Sequence, residues 1–399
     1  MNIINNNFGT MFPNRVCYQP SATLDMPSVT EVFDFNLNTG SGIGIGSNAI
    51  KSAIGEYFER RHFYIEVFPD LENTLSSSLS AKEVKSFIKA FYQTNSENFK
   101  TSDLELHRYK LTKASRLSNF TPCYIPTACI SLNSLELGSD SEIYPSRDTC
   151  GCSFHWSAEE SMFGALKESL ERQFLSRFWL TKKCTAVLGS TELIKSLRYH
   201  VTTKLHQILC KSGELIAFDI SDNRFPGKCL LVVYGQKDTT RNVLYCAGLA
   251  YAETKIAALD KAINELWQTF RFINLFSSIN GKLHSLHDPY IKYFLSCNNY
   301  QTFQNISTHI ITHDENKHTS HPFNFNGIRQ AIIDQNILGY LYTKTRLLDG
   351  ETCTVSKFIS PDMFTHMDNS KNINTHNKYS FHFKKDIITE RKSMMVPFP

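Results

Sequence analysis

The stretch SAIGEYFER, Ser52 to Arg60, decides how the rest of the chain is read. Glu56 and Glu59 stand three residues apart, Ser52 lies four before Glu56, and Ala53, Ile54, Tyr57 and Phe58 supply apolar positions. Side chains at i, i+3 and i+4 share a helix face, so the segment predicts a helix carrying two neighbouring carboxylates. Alone, it would read as a solvated charged stripe with an i,i+4 pair between Glu56 and Arg60. Two further segments repeat the idea. In SMFGALKESLER, Ser161, Glu168 and Glu171 fall on one face, and Arg172 follows Glu171 as Arg60 follows Glu59. In ELWQTFR, Glu265, Gln268 and Arg271 follow one another at three-residue steps. Converging faces of this kind would crowd carboxylates that cannot all stay ionised unaided. Divalent cations with phosphates attached are the natural counter-charge. Gln can hydrogen-bond a base or a phosphate, and Arg can make a forked contact to phosphate.

Outward from these segments, apolar strand-like runs stand at 122–132, 215–220, 229–235 and 243–251. Helices interleaved with strands predict an α+β, mixed α/β architecture, with the glutamate-bearing helices packed on mixed sheets. Residues 1–39 read as an irregular Asn- and Pro-rich segment that packs on or precedes a core domain of residues 40–399. Gly40 to Ser47, GSGIGIGS, has no phosphate-loop spacing and reads as a flexible helix entry. Asn48 is the expected cap of a helix to about Phe63. A second helix is expected over 82–95. A capping box of Ser157 and Glu160 opens a helix through Leu175, and another helix follows Glu253 to near Phe272. Residues 279–325 read as weakly structured, 339–348 and 353–360 as strands, and 364–378 as a polar loop.

Bulk properties exclude several classes. Net charge is +4 over 399 residues, without a long basic run, which argues against a nucleic-acid surface. Eleven scattered cysteines, with no basic and apolar leader ahead of them, read as reduced thiols of a cytoplasmic protein. No run approaches the roughly 18 apolar residues of a membrane span. Cys150-x-Cys152 lacks a second pair at zinc spacing. Glu59-x-x-His62 lacks the second Glu-x-x-His of a di-iron bundle.

The three segments together resemble the ATP-binding signature of the YcaO family: Ser-x3-Glu-x2-Glu-Arg, then Ser-x6-Glu with a further carboxylate, then Glu-x2-Gln-x2-Arg. DTCGCSFHWSAEES (Asp148 to Ser161) and GLAYAETKIAALDKAINELWQ (Gly248 to Gln268) resemble the family's approaches to its second and third helices. Within the family, SAIGEYFERRHF, RDTCGCSFH and the VPFP ending are similar to the cyclodehydratase subunits of microcin-B type synthetases. The resemblance implies an ATP- and Mg²⁺-dependent enzyme that closes Cys, Ser and Thr of a ribosomal precursor peptide into thiazoline and oxazoline rings. It implies a leader-peptide-binding partner subunit and an FMN-dependent dehydrogenase subunit, and neither nucleic acid nor membrane as partner. Carried over residue by residue, Glu56, Glu59, Glu168, Glu171 and Glu265 would face magnesium, directly or through water. Ser52, Arg60, Ser161, Gln268 and Arg271 would face the nucleotide. The C-terminal carboxylate of Pro399 would be the base, with Pro397 and Pro399 holding the tail extended into the site. Gly42-Ile43-Gly44 stands where many members carry Gly-Lys-Gly. Thioamide or amidine formation, and a scaffold without catalysis, are the alternatives.

Overall fold

Glycines set the position of the first acidic helix. In the computed structural model, described here for residues 13–21, 23, 26–34, 39–97, 99–134, 136–197, 200, 202–286, 288–312, 319–348, 350–368 and 371–398, the Gly/Ser stretch is largely a strand. That strand, β3 (Thr39–Gly44), closes an antiparallel three-stranded sheet with β1 (Arg15–Gln19) and β2 (Ser28–Phe33). Helix α1 (Asn48–Arg61) lies directly on β3. A Cβ on Gly40 would overlap Ala53 O and Tyr57 N, and one on Gly42 would overlap Ala49 O and Ala53 N. The glycines therefore serve close strand–helix contact rather than flexibility. Residues 15–19 and 28–33 are strands, not irregular chain: Thr30 and Val32, two residues apart on one face of β2, are buried, and Val32 packs with Ala53, Tyr57 and Phe58 of α1.

Two larger antiparallel sheets complete the frame. One has six strands: β4 (Leu71–Asn73), β5 (Tyr109–Arg116), β6 (Pro122–Pro126), β7 (Cys152–His155), β12 (Tyr340–Leu348) and β13 (Glu351–Ile359), in the order β4-β5-β12-β13-β7 with β6 on β5. The other has four: β8 (Ala186–Leu188), β9 (Glu214–Asp219), β10 (Lys228–Gly235) and β11 (Tyr245–Ala252), in the order β11-β10-β9-β8. Among the described residues the one parallel pairing is the short bridge of Ile311–Thr312 with Lys183–Cys184. Helix α2 (Ala81–Thr94), with a complete Ser80–Glu83 capping box, packs Phe87, Ile88 and Phe91 in the core shared with the six-stranded sheet.

Helix α3 (Ala158–Thr181) runs through the interior and touches β7, β13 and β11. Leu166, Leu170, Phe174, Leu175, Phe178 and Leu180 are all buried, so apolar side chains surround much of its circumference. Each contributes about 1.5–3 kcal/mol of burial. Its entry has no Ser157 side-chain cap; the Ser157 N–H instead donates to His155 Nδ1 at 3.1 Å. Helix α4 (Lys255–Ser278) packs on β10 and β11, with Thr254 Oγ1 accepting from Ala257 N.

The region expected to be weakly structured contains α5 (Pro289–Ser296), α6 (Tyr300–Ser307) and the start of α7 (Phe325–Asp334). Each begins at an Asp or Asn that accepts from the first turn: Asp288, Asn299 and Asn324. Among the described residues, all cysteines are free and no helix is long and apolar enough to cross a membrane.

Candidate active site

Three helices deliver their carboxylates to one neighbourhood, and two of them by the same device. A Cβ on Gly248 of β11 would overlap Ala262 O and Leu266 N of α4, as Gly40 of β3 does with Ala53 O and Tyr57 N of α1. In each unit the residue after the glycine donates its backbone N–H to the glutamate of the facing helix. Ser41 N meets Glu56 Oε2 at 3.0 Å, and Leu249 N donates to Glu265. Glu56 and Glu265 are thus equivalent positions of two similar strand–helix units. Between them, α3 supplies Glu168 and Glu171, the latter accepting from Tyr251 N of β11 at 2.8 Å.

Electrostatics links these acids in a chain. Burial raises Glu59 to about 8, and neighbouring Glu56 adds to the rise, while Arg60, Lys357 and the Phe154 N–H oppose it. Burial pushes Glu168 well above the carboxylate range, with Glu59 the next contributor. Glu171 is raised by burial against the pull of Arg172 and Lys167. Burial and Glu171 raise Glu265 to about 8. These side chains are only half-buried by surface exposure, yet protein surrounds them closely enough to disfavour charge. The sequence pattern missed Glu31 of β2, whose carboxyl is also raised by burial and by Glu56.

Arg172 is the other group the sequence reading left without a role. Glu171 and Glu168 favour its charge against a large desolvation cost. Its Nη1 is buried with no hydrogen-bond partner among the described residues. Its guanidinium lies over the Phe398 ring, 5.0 Å from the centroid. Adjacency to Glu171 was the available signal; nothing local in the sequence marks Glu31 or Lys357.

The remaining expected residues divide. Arg60 is paired with Glu56 and within the field of Glu59 and Glu168. Gln268 Nε2 donates to Ser41 Oγ at 2.7 Å, so α4 and α1 meet at the same residue of β3. Ser52 is exposed on α1. Ser161 is not available to a ligand: it is fully buried, and its Oγ bonds Ser356 Oγ at 2.9 Å and Ser153 O at 3.3 Å. Arg271 is directed to Gln19 Oε1 (3.3 Å) and Pro20 O (3.4 Å) and stacks on Trp267, tying α4 to the end of β1 instead of joining the acids. His62 is engaged by Glu66 and Tyr342. Pro399 lies outside the described residues. The tail before it is buried at Val396 and Phe398, and it is not extended: Phe398 N bonds Val396 O at 2.9 Å, closing a three-residue turn at Pro397.

A magnesium nucleotide fits these residues on two counts. Glu59, Glu168, Glu171 and Glu265 are held above the ordinary carboxylate range, the signature of carboxylates short of positive charge, and a buried Arg172 N–H has no acceptor among the described residues. Among the described residues no three acid, His or Cys side chains cluster tightly enough to hold an ion by themselves. Mg²⁺ takes one or two carboxylates and completes its shell with phosphate oxygens and water, donors that these acids and a nucleotide would supply. A cavity lined by Arg147, Asp148, Cys150, Ser169, Gln173 and Lys357 adjoins the acids and does not enclose them. Its single carboxylate, Asp148, already accepts from Cys150 N and Met367 N, so the acids and not this cavity define the site.

Comparison with known proteins agrees with this geometry. The chain is 32% identical to the microcin B17-processing protein McbD of Escherichia coli, over 98% of each. It superposes on a chain of the E. coli microcin synthetase McbBCD complex with a TM-score of 0.89, at 29% identity and 98% coverage of both. A YcaO protein of Methanopyrus kandleri bound with AMPPCP and Mg²⁺ shares the fold at a TM-score of 0.57 and 11% identity, over 88% of this chain and 86% of that one. The family model described as YcaO cyclodehydratase, ATP- and Mg²⁺-binding, matches residues 41–344. Sequence, fold and the meeting of three acidic helices thus agree, and the chain belongs to the YcaO cyclodehydratase family, which binds ATP and Mg²⁺.

Proposed function

We propose that this enzyme closes Cys, Ser and Thr residues of a ribosomal precursor peptide into thiazoline and oxazoline rings, as the ATP-dependent subunit of a microcin-type synthetase. The observation that carries the reading is the set of raised carboxylates on α1, α3 and α4 near a buried Arg172 Nη1 that has no acceptor among the described residues. The similar McbBCD complex is also known with pro-MccB17 bound. By that likeness the present chain works with a leader-peptide-binding subunit and an FMN-dependent dehydrogenase, in the cytoplasm. Residues 40–399 form the catalytic unit, and the segment before them packs on it through β1, β2 and Glu31.

Ring closure requires a thiol or hydroxyl to add to the preceding amide carbonyl, whose oxygen is a poor leaving group. Bound Mg-ATP supplies the phosphoryl group that makes that oxygen leave as phosphate. Glu56, Glu59, Glu168, Glu171 and Glu265 would hold magnesium, directly or through water, and the raised acids among them, Glu59, Glu168, Glu171 and Glu265, would give up protons on doing so. Arg172 and Arg60 face phosphate, and Gln268 the nucleotide. The Pro399 carboxylate takes the proton of the attacking group; an α-carboxylate, of pKa near ~3.5, is ionised at neutral pH. Ser161 and Arg271 are structural.

The test is a reconstituted synthetase given precursor and ATP. Glu59→Ala and Glu171→Ala should lower the loss of water from the peptide by about 10²-fold or more while the complex still assembles. Unchanged ring formation in both variants would reduce the subunit to a scaffold.

A further inference from the structure

The end of the described chain has every backbone acceptor occupied. Trp179 Nε1 donates to Met394 O (2.8 Å), Tyr293 OH to Met395 O (2.8 Å), Tyr245 OH to Pro397 O (2.6 Å) and Tyr290 OH to Phe398 O (2.8 Å). The remaining carbonyl, that of Val396, accepts from Phe398 N. The ring donors come from three elements far apart in sequence: Trp179 from α3, Tyr245 from β11, and Tyr290 and Tyr293 from α5. Chain ends fray by default, so this arrangement selects one conformation of a segment that would otherwise sample many.

What the conformation places is the Phe398 ring. It is 3% exposed and lies against the Arg172 guanidinium. Arg172 stands in the combined field of Glu168 and Glu171. A long side chain between two carboxylates can turn toward either. A ring held against one face removes that freedom and fixes the direction of the buried Nη1, which has no acceptor among the described residues. We propose that Phe398, fixed by Tyr290, Tyr245, Tyr293 and Trp179, is a positioning residue that braces Arg172 for an oxyanion, a phosphate of the nucleotide. The tail is then part of the nucleotide site, in addition to any role of the carboxylate beyond it. The proposal rests on the reading that Arg172 meets phosphate.

The experiment measures KM for ATP and kcat for ring formation in the reconstituted complex. The variants are Phe398→Leu, Phe398→Tyr, Tyr290→Phe and Arg172→Gln. Leu keeps the apolar volume and loses the ring; Tyr restores the ring; Tyr290→Phe removes only the hydroxyl. Phe398→Leu and Tyr290→Phe should each raise KM for ATP, Phe398→Leu by about tenfold, between the effects of an exposed and a desolvated cation–π contact. Their kcat should stay within about twofold of the unmodified enzyme, and Phe398→Tyr should recover KM. An unchanged KM in Phe398→Leu alongside a raised KM in Arg172→Gln would discard the brace and keep Arg172 at phosphate. An unchanged KM in Arg172→Gln would discard that reading and the brace together. A fall in kcat at constant KM in Phe398→Leu would move the tail's role to the chemical step and overturn the proposal. Melting temperatures of the variant complexes identify any variant whose KM change reflects misfolding, and the hydroxyl deletion then decides.

Discussion

Glu59 and Ser161 sit at matching kinds of position in the sequence and have opposite fates. Both lie on a predicted acidic face. Glu59 is surrounded, raised to about 8 and close enough to Glu168 of a second helix to raise that acid too. Ser161 is two turns before Glu168, where α3 faces the sheet and its hydroxyl is taken by Ser356. Ser161→Ala should cost about 1 kcal/mol of stability, the net value of one buried hydrogen bond, with kcat little changed. Glu59→Ala should lower ring formation by about 10²-fold or more, as loss of a charge-stabilising group does. Steady-state kinetics and denaturant unfolding of the two variants check the contrast.

The raised acids also set a pH dependence. Glu59 and Glu265 stand near about 8 when folded, against an ordinary value of 4.5. Between those values the folded chain binds more protons than the unfolded chain, so stability falls as pH rises. The melting temperature of the nucleotide-free protein should therefore drop from about pH 5 to about pH 8, and Mg-ATP should reduce the drop by paying the carboxylates with positive charge. A melting curve independent of pH over that window would show the acids already compensated. Local spacing made Glu56, Glu59, Glu168, Glu171 and Glu265 legible, because helix-face neighbours are fixed by a period of 3.6. Glu31, Lys357 and the tail beside Arg172 were not legible, because only the tertiary fold brings them near.

At the scale of elements, two glycines do what the helices cannot do for themselves. Gly40 and Gly248 let α1 and α4 approach their strands closely enough for the next backbone N–H to reach Glu56 and Glu265. Gly40→Ala or Gly248→Ala should force helix and strand apart and destabilise by about 1–3 kcal/mol, the range for overpacking. Mg-ATP affinity should fall further than that loss explains, because the N–H donors move with the strand; titration calorimetry on folded variant protein reads it. From sequence, Gly40 to Ser47 reads as a flexible helix entry because glycine spacing marks permissiveness without saying what approaches. Helices α5 and α6 were missed for a related reason: their Asn- and Ser-rich surroundings hid the caps Asp288 and Asn299, which were present in the sequence. The long helices α3 and α4 were legible from periodicity, and only their ends differed.

Over the whole molecule, the site is assembled from parts that no single sheet contains. The three-stranded sheet carries α1, the four-stranded sheet carries α4, and α3 packs on both the four-stranded and the six-stranded sheets. Mixed α/β composition was visible in the alternation of helical and strand-like runs, whereas the antiparallel strand orders depend on pairings far apart in sequence, such as β5 with β12. Such an arrangement makes nucleotide binding a property of the complete fold, in which the acids share one set of counter-charges. The direct test counts products in the reconstituted synthetase without its dehydrogenase. The peptide should lose one water per ring, and each ring should be matched by one ADP and one phosphate, with both signals lost together in Glu171→Ala. Rings formed without ADP, or formed at the unmodified rate by Glu171→Ala, would contradict the account.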